Sequence, residues 1–256
     1  MPAFGILFDQ SKCIGCKACE QACQAEHDQR PHVASGLDQE TFNWVKAAGA
    51  DRFVRRFCMH CVQPTCASVC PVAALEKTPE GPVVWHAERC LGCRYCMMAC
   101  PFEIPKYEWD SPNPRVRKCD MCVHRVRRGQ ETACASVCPT GATCFGPRAD
   151  LLREATRRKR EHPELYFGQL YGEREAGGTC VLMLLTEPPA TAGLPTDVPL
   201  EALPPLTWEV LEKIPKFLPI YAAFLGGMYW LTQRKNEVAR KEQEGEHRDG
   251  GKRVAE

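Results

Sequence analysis

The sequence has almost no net charge. Thirty-three lysines and arginines stand against 32 aspartates and glutamates, leaving +1 and a pI near 7.4. That balance excludes a global field that would draw in nucleic acid or an acidic substrate. Aromatic residues make up only 8% and 21 of the 256 residues are proline, which is poor material for a large apolar core. No phosphate-binding glycine loop, nucleophile elbow or dinucleotide fingerprint occurs, so the chain is not expected to be an enzyme by itself. The Cys-x3-Cys-x2-Cys signature of radical enzymes is absent as well. Scattered cysteine pairs behind a secretory signal, the mark of a small disulfide-stapled domain, are not what this sequence shows.

What the chain has is cysteine: 18 of them, 16 in four tight quartets. These are "CIGCKACEQAC" (Cys13, Cys16, Cys19, Cys23), "CMHCVQPTCASVCP" (Cys58, Cys61, Cys66, Cys70), "CLGCRYCMMACP" (Cys90, Cys93, Cys96, Cys100) and "CDMCVHRVRRGQETACASVCP" (Cys119, Cys122, Cys134, Cys138). Structural zinc uses two separated Cys-x-x-Cys knuckles around one tetrahedral ion. Gaps of two, two and three ending in Cys-Pro match the bacterial iron–sulfur run instead, with zinc as the lesser alternative. Three cysteines at intervals of three wrap a tight loop round three corners of a cubane, and the fourth thiolate arrives from elsewhere. In two-cluster ferredoxins the last cysteine of each run ligates the other cluster. The proline after it suits the first turn of a short helix, so "CPVAAL" and "CPTGAT" read as helix starts.

An apolar, strand-like run precedes each quartet: "FGILFDQSKC", "RFVRRFC", "GPVVWHAERC" and "PRVRKC". The repeated unit is strand, cluster loop, short helix. Two units make one ferredoxin-like module, so residues 1–146 read as two bis-[4Fe–4S] modules in an α+β fold. Each quartet offers four thiolates, so every iron can be saturated and none is left open for Lewis-acid chemistry. Basic residues beside the clusters, such as Lys17, Arg94 and Lys118, favour the reduced, more negative state. His60 lies inside a cluster loop, where it either donates to a sulfur or is a plain loop residue. Cys144 and Cys180 are left over, and each lies in a strand-like run that suits a buried small hydrophobe.

These motifs, together with "GCRYCMMACPFEIPKY", "KCDMC" and its eleven-residue gap to Cys134, "FGPRADLL", "GGTCVLML" and "GLPTDVP", carry a likeness over nearly the whole chain. It resembles the four-cluster iron–sulfur β subunit of membrane-bound formate dehydrogenases and quinone-linked nickel–iron hydrogenases, among the molybdopterin-oxidoreductase electron-transfer subunits. The resemblance implies that the first and fourth quartets pair, with the second and third nested between them. Carried over, Cys13, Cys16, Cys19 and Cys138 hold cluster a, and Cys23, Cys119, Cys122 and Cys134 hold cluster b. Cys58, Cys61, Cys66 and Cys100 hold cluster c, and Cys70, Cys90, Cys93 and Cys96 hold cluster d. One departure is Thr132, where the family commonly has proline before the third cysteine of the last quartet.

After Gly146 the composition changes. Residues 147–212 read as an extension: a basic amphipathic helix in "ADLLREATRRKREHPEL", then a proline-rich strap, "EPPATAGLPTDVPLEALPPL", suited to lying along a partner subunit. From Phe217 to Thr232 sixteen residues carry no charge. That is short of the ~20 of a membrane span, but snorkelling by Lys213, Lys216 and Arg234 makes 213–233 the expected single transmembrane helix. Residues 234–256 are then a charged tail. Its Arg234, Lys235, Arg240, Lys241, Arg248, Lys252 and Arg253 put the C-terminus in the cytoplasm and the cluster domain on the outer, periplasmic side of the inner membrane.

The resulting expectation is a non-catalytic electron-transfer subunit with four [4Fe–4S] clusters. Its expected partners are a catalytic oxidoreductase subunit (molybdopterin or nickel–iron) and an integral-membrane quinone-reactive or cytochrome b subunit, with no nucleic acid. The rivals are a soluble polyferredoxin, a zinc-stabilised scaffold and the β subunit of another molybdopterin oxidoreductase.

Overall fold

The computed structural model describes residues 3–49, 51–112 and 114–252. Met1, Pro2, Ala50 and Asn113 of the expected 1–146 domain, and residues 253–256 of the expected tail, Arg253 among them, lie outside the described residues. The chain divides into two compact units, 1–204 and 205–256.

A strand does precede every quartet. β1 (Phe4–Asp9) leads to the first. The hairpin of β2 (Asn43–Ala47) and β3 (Phe53–Phe57) leads to the second, and that of β4 (Leu75–Lys77) and β5 (Val83–Trp85) to the third. The two-residue pair β6 (Lys106–Tyr107) and β7 (Val116–Arg117) leads to the fourth. Four short helices carry inner cysteines: α1 (Ala18–Glu26), α2 (Thr65–Ser68), α3 (Tyr95–Met98) and α5 (Ala133–Ser136), while α4 (Val123–Val126) starts directly after Cys122. α1 packs on α5, and α2 on α3.

The expected helix start after Cys-Pro is not found. Pro71 and Pro139 open turns that run directly into strands. Three residues after the fourth cysteine the backbone is left-handed, at Ala73, Glu103 and Gly141, which ends any helix before it begins. After Cys70 the turn is pinned by the Ala74 N–H donating to the Cys70 sulfur at 3.1 Å. The first quartet has no proline, and there α1 runs on past Cys23 to Glu26.

β1 is the centre of a three-stranded sheet, antiparallel to β8 (Thr143–Pro147) and parallel to β9 (Val181–Leu184). Buried on both faces, it reads as a continuous apolar run. Ile6 and Phe8, with Val181 and Met183, face the cysteine-rich core. Leu7, Leu182 and Leu184 face α6 (Arg148–Glu161) through Leu151 and Ala155. The compact unit therefore extends past the expected boundary at 146: β9 from the expected extension is a full member of the sheet, with all four residues buried.

In the second unit, α7 (Leu203–Leu211) begins just before the division and α8 (Ile214–Lys252) follows it. The transmembrane expectation for 213–233 is corrected here. The segment is helical, but no helix among the described residues is long and apolar enough to cross a membrane. Only sixteen residues separate Lys216 from Gln233, and Pro219, Gly226 and Gly227 dilute their apolarity.

Asp9, at the end of β1, is fully buried and accepts from the Arg158 Nη1 at 2.9 Å and the Tyr166 hydroxyl at 3.0 Å. Arg158→Met leaves that carboxylate without its cation. The expected cost is about 3 kcal/mol, read as a lower midpoint in anaerobic denaturant unfolding.

Candidate metal centres

Each quartet opens with the same backbone device. The residue before the second cysteine is left-handed: Gly15 (φ 68°), His60 (φ 48°), Gly92 (φ 69°) and Met121 (φ 57°). Successive turns of this kind form a concave nest of N–H groups suited to an anion. Glycine is obligatory at 15 for a second reason, since an added Cβ would stand 2.5 Å from the Phe53 ring.

Strand pairing then joins the quartets. Phe8 pairs with Thr143; Cys13 lies five residues after Phe8 and Cys138 five before Thr143. Leu75 pairs with Trp85; Cys70 lies five residues before Leu75 and Cys90 five after Trp85. The same construction thus appears twice. In the first case Cys13, Cys16, Cys19 and Cys138 line one cavity of about 330 Å³. In the second, Cys70, Cys90, Cys93 and Cys96 line another of about 320 Å³. No carboxylate lines either, so the donor set is soft sulfur alone, the chemistry of iron–sulfur clusters or zinc.

The other eight cysteines fall into two electrostatic neighbourhoods. Cys23 lies among Cys134, Cys122 and Cys119. Cys61 lies among Cys58, Cys100 and Cys66. Burial pushes the Cys66 and Cys122 thiols up to about 12 and Cys96 to about 11, with neighbouring thiols adding to the rise. Any metal must displace these protons to bind. Cys138 is the exception: burial raises it, but the Thr143 N–H and the Thr140 hydroxyl prevail and hold it below the ordinary thiol value. Between neighbourhoods three pairs come within electrostatic reach: Cys19 with Cys134, Cys119 with Cys58, and Cys66 with Cys96.

Cys144 and Cys180 line neither cavity. Cys144 sits in β8, its thiol near the Gly141 carbonyl at 3.3 Å. Cys180 is 1% exposed and receives Lys77 Nζ at 3.3 Å. Thr132 needs no proline to set its backbone: φ is already −61°, and its hydroxyl lies 3.5 Å from the Cys134 sulfur. Arg94, itself left-handed, lies over the Tyr107 and Trp109 rings at 5.5 and 5.2 Å. Lys118 is buried and donates to the Val83 and Cys119 carbonyls. His60 is buried and held neutral by burial, with Lys118 and Lys77 adding to the effect. Its Nδ1 accepts the Val83 N–H at 2.9 Å, so its first role is to fasten β5; Nε2 has no partner among the described residues.

The sequence reading missed Arg55. It sits in β3 between Phe53 and Phe57 on one strand face, a charge in an apolar alternation, and it is 1% exposed. Burial opposes its charge, but the thiols of Cys134 and Cys19 prevail and push its pKa above the ordinary value. The alternation F-x-R-x-F was the signal available.

Comparison with known proteins decides the family. Two 4Fe–4S dicluster domain models match, over residues 12–75 and 50–148. The hydrogenase-2 operon protein HybA of Escherichia coli O157:H7 is 33% identical over 97% of this chain and 88% of its own length. The chain belongs to the 4Fe–4S iron–sulfur electron-transfer subunits. The nitrate-inducible formate dehydrogenase iron–sulfur subunit of Escherichia coli K12 is 35% identical, over 75% of this chain and 72% of its own. An anaerobic dimethyl sulfoxide reductase subunit of Haemophilus influenzae is 37% identical, over 59% and 77%. Such subunits are non-catalytic, and the two dicluster matches with 18 cysteines fit four [4Fe–4S] clusters.

His60→Leu removes the acceptor of the buried Val83 N–H. The expected loss is about 1–3 kcal/mol, read as a lower unfolding midpoint of the anaerobically prepared protein.

Proposed function

We propose that this chain relays electrons through four [4Fe–4S] clusters between a catalytic subunit, of formate dehydrogenase or nickel–iron hydrogenase type, and a quinone-reactive or cytochrome b membrane subunit. The observation that carries the reading is the gathering of sixteen cysteines into four thiol sets, two of them lining separate cavities, with Cys19 near Cys134, Cys119 near Cys58 and Cys66 near Cys96. In this reading Cys13, Cys16, Cys19 and Cys138 hold the first cluster and Cys23, Cys119, Cys122 and Cys134 the second. Cys58, Cys61, Cys66 and Cys100 hold the third, and Cys70, Cys90, Cys93 and Cys96 the fourth. When bound, each cluster takes up and returns an electron at a potential set by charge, hydrogen bonds and burial.

The chain's own residues do three things. They hold the four sets in a row, they bury most of the inner thiols, and they leave one thiol of each outer set, Cys16 and Cys93, exposed. Apolar residues frame those ends: Ile14 is 61% exposed beside Cys16, and Leu91 70% beside Cys93. Exposed apolar ends of this kind suit docking by partner subunits. The names of the relatives support the partner class. A β subunit of another molybdopterin oxidoreductase is the second reading, favoured by the likeness to the dimethyl sulfoxide reductase subunit.

The reading puts the assembly at the cell membrane with the cysteine-rich unit on its outer side, held by the membrane partner. The exposed apolar stretch of α8, with Phe217, Ile220, Phe224, Leu225 and Trp230, is the surface offered to that partner. Protease added to intact spheroplasts should cut the cysteine-rich unit in any molecule not shielded by partners; full protection with cutting only in inverted vesicles reverses the orientation.

Protein purified without oxygen should carry about sixteen irons with matching acid-labile sulfide, and Cys138→Ala or Cys70→Ala should each remove about a quarter of them. Zinc in place of iron, or full iron in both variants, sinks the assignment. Copurification with a subunit containing molybdenum, tungsten or nickel identifies the donor.

A further inference from the structure

We propose that Arg55 is the buried counter-cation shared by the Cys13/Cys16/Cys19/Cys138 and Cys23/Cys119/Cys122/Cys134 sites, and that its charge raises the reduction potentials of both. The inference rests on the ligand reading above.

Arg55 is anchored from three sides. Its Nε donates to the Asn43 Oδ1 at 3.0 Å, from β2, and its Nη1 to the Thr143 Oγ1 at 2.7 Å, from β8. Its Cζ lies 4.3 Å over the Phe57 ring. Nη2 has no nitrogen or oxygen partner among the described residues, and the guanidinium is in side-chain hydrogen-bond reach of the Cys134 sulfur. The side chain lines the first cavity beside all four of that cavity's cysteines. A guanidinium taken out of water is strongly unfavourable unless anions surround it. The principal groups acting on this one are the sulfurs of Cys134, Cys19 and Cys119, with no carboxylate among them. Those sulfurs come from both sites, so the cation belongs to neither alone.

The thiols on which Arg55 acts most strongly belong to these two sites. Arg55 stabilises the thiolates of Cys13, Cys19 and Cys23. In the third set Cys66 and Cys100 answer to Lys118, and Cys61 to Lys77. Reduction adds negative charge, and a fixed cation in a dry, low-dielectric setting favours it. Arginine does not lose its proton in proteins, so this bias does not change with pH.

The test is an anaerobic redox titration of the four-cluster chain, followed by electron paramagnetic resonance, on the native protein, Arg55→Gln and Arg55→Lys. Signals are assigned with Cys138→Ala and Cys70→Ala, and iron is counted in each sample. Arg55→Gln should lower two potentials, including the one tied to Cys138, and leave the one tied to Cys70 where it was; Arg55→Lys should restore most of the shift. If Arg55→Gln sheds iron from two sites only and Arg55→Lys regains it, the shared charge is again supported. Unmoved potentials, an equal shift at the Cys70 site, iron loss from all four sites, or no recovery in Arg55→Lys each overturn the role of Arg55. Failure of the ligand reading shows separately, as a native protein without four clusters.

Discussion

The rest of the structure depends on the gathering of many thiols inside one small body. A buried thiol gives up its proton reluctantly, and several together more reluctantly still. Every feature around the four sets answers that cost in one of two ways. The left-handed turns at Gly15, His60, Gly92 and Met121 curl each loop tightly, and at the last of them the Met121 N–H donates to the Cys119 sulfur at 3.3 Å. Arg55 and Lys118, each buried, supply positive charge between neighbouring sets. Sulfur, backbone and cation are one electrostatic unit, and the apolar core is laid around it. That is why Cys19, Cys23, Cys58, Cys119 and Cys134 pack among Ile6, Phe8, Val54 and Met183, and not in a separate metal-binding lobe.

The scaffold is economical in a different sense from an apolar domain. Among the described residues the strands are two to six residues long, and three of the four sheets have only two strands. Hairpins of that size are marginal alone. They persist because each delivers a cysteine, and bound metal ties the loops together at the point where the strands stop. The three-stranded sheet, covered on its far side by α6, supplies the conventional core.

Much of this could be read from the sequence. Four cysteine quartets at fixed gaps, each after an apolar run, gave strands, loops and helices in their right order, because ligand spacing is dictated by the chemistry and cannot drift far. The errors came where tertiary partners decide. Proline after the fourth cysteine suits a helix start in isolation, yet Ala73 and Gly141 turn the chain left-handed and send it into a strand. "TCVLMLL" is a buried strand that no local signal ties to β1, whose Ile6 pairs with the distant Val181, so the extension was cut off from a unit it completes. Arg55 looked like one of several basic residues, and only the strands on either side of it reveal that it faces inward.

The two matching strand-pair constructions differ greatly in how much chain they enclose. Between Cys70 and Cys90 lies a single hairpin, so those thiols can meet as soon as a short stretch has left the ribosome. Between Cys13 and Cys138 lies most of the cysteine-rich sequence, and β1 waits for β8 to be made. One end of the row is built from local contacts, while the other needs a contact across most of the cysteine-rich sequence, the slower kind to form. The three-stranded sheet therefore works as a clasp across the chain, complete only once β8 and β9 have both been made.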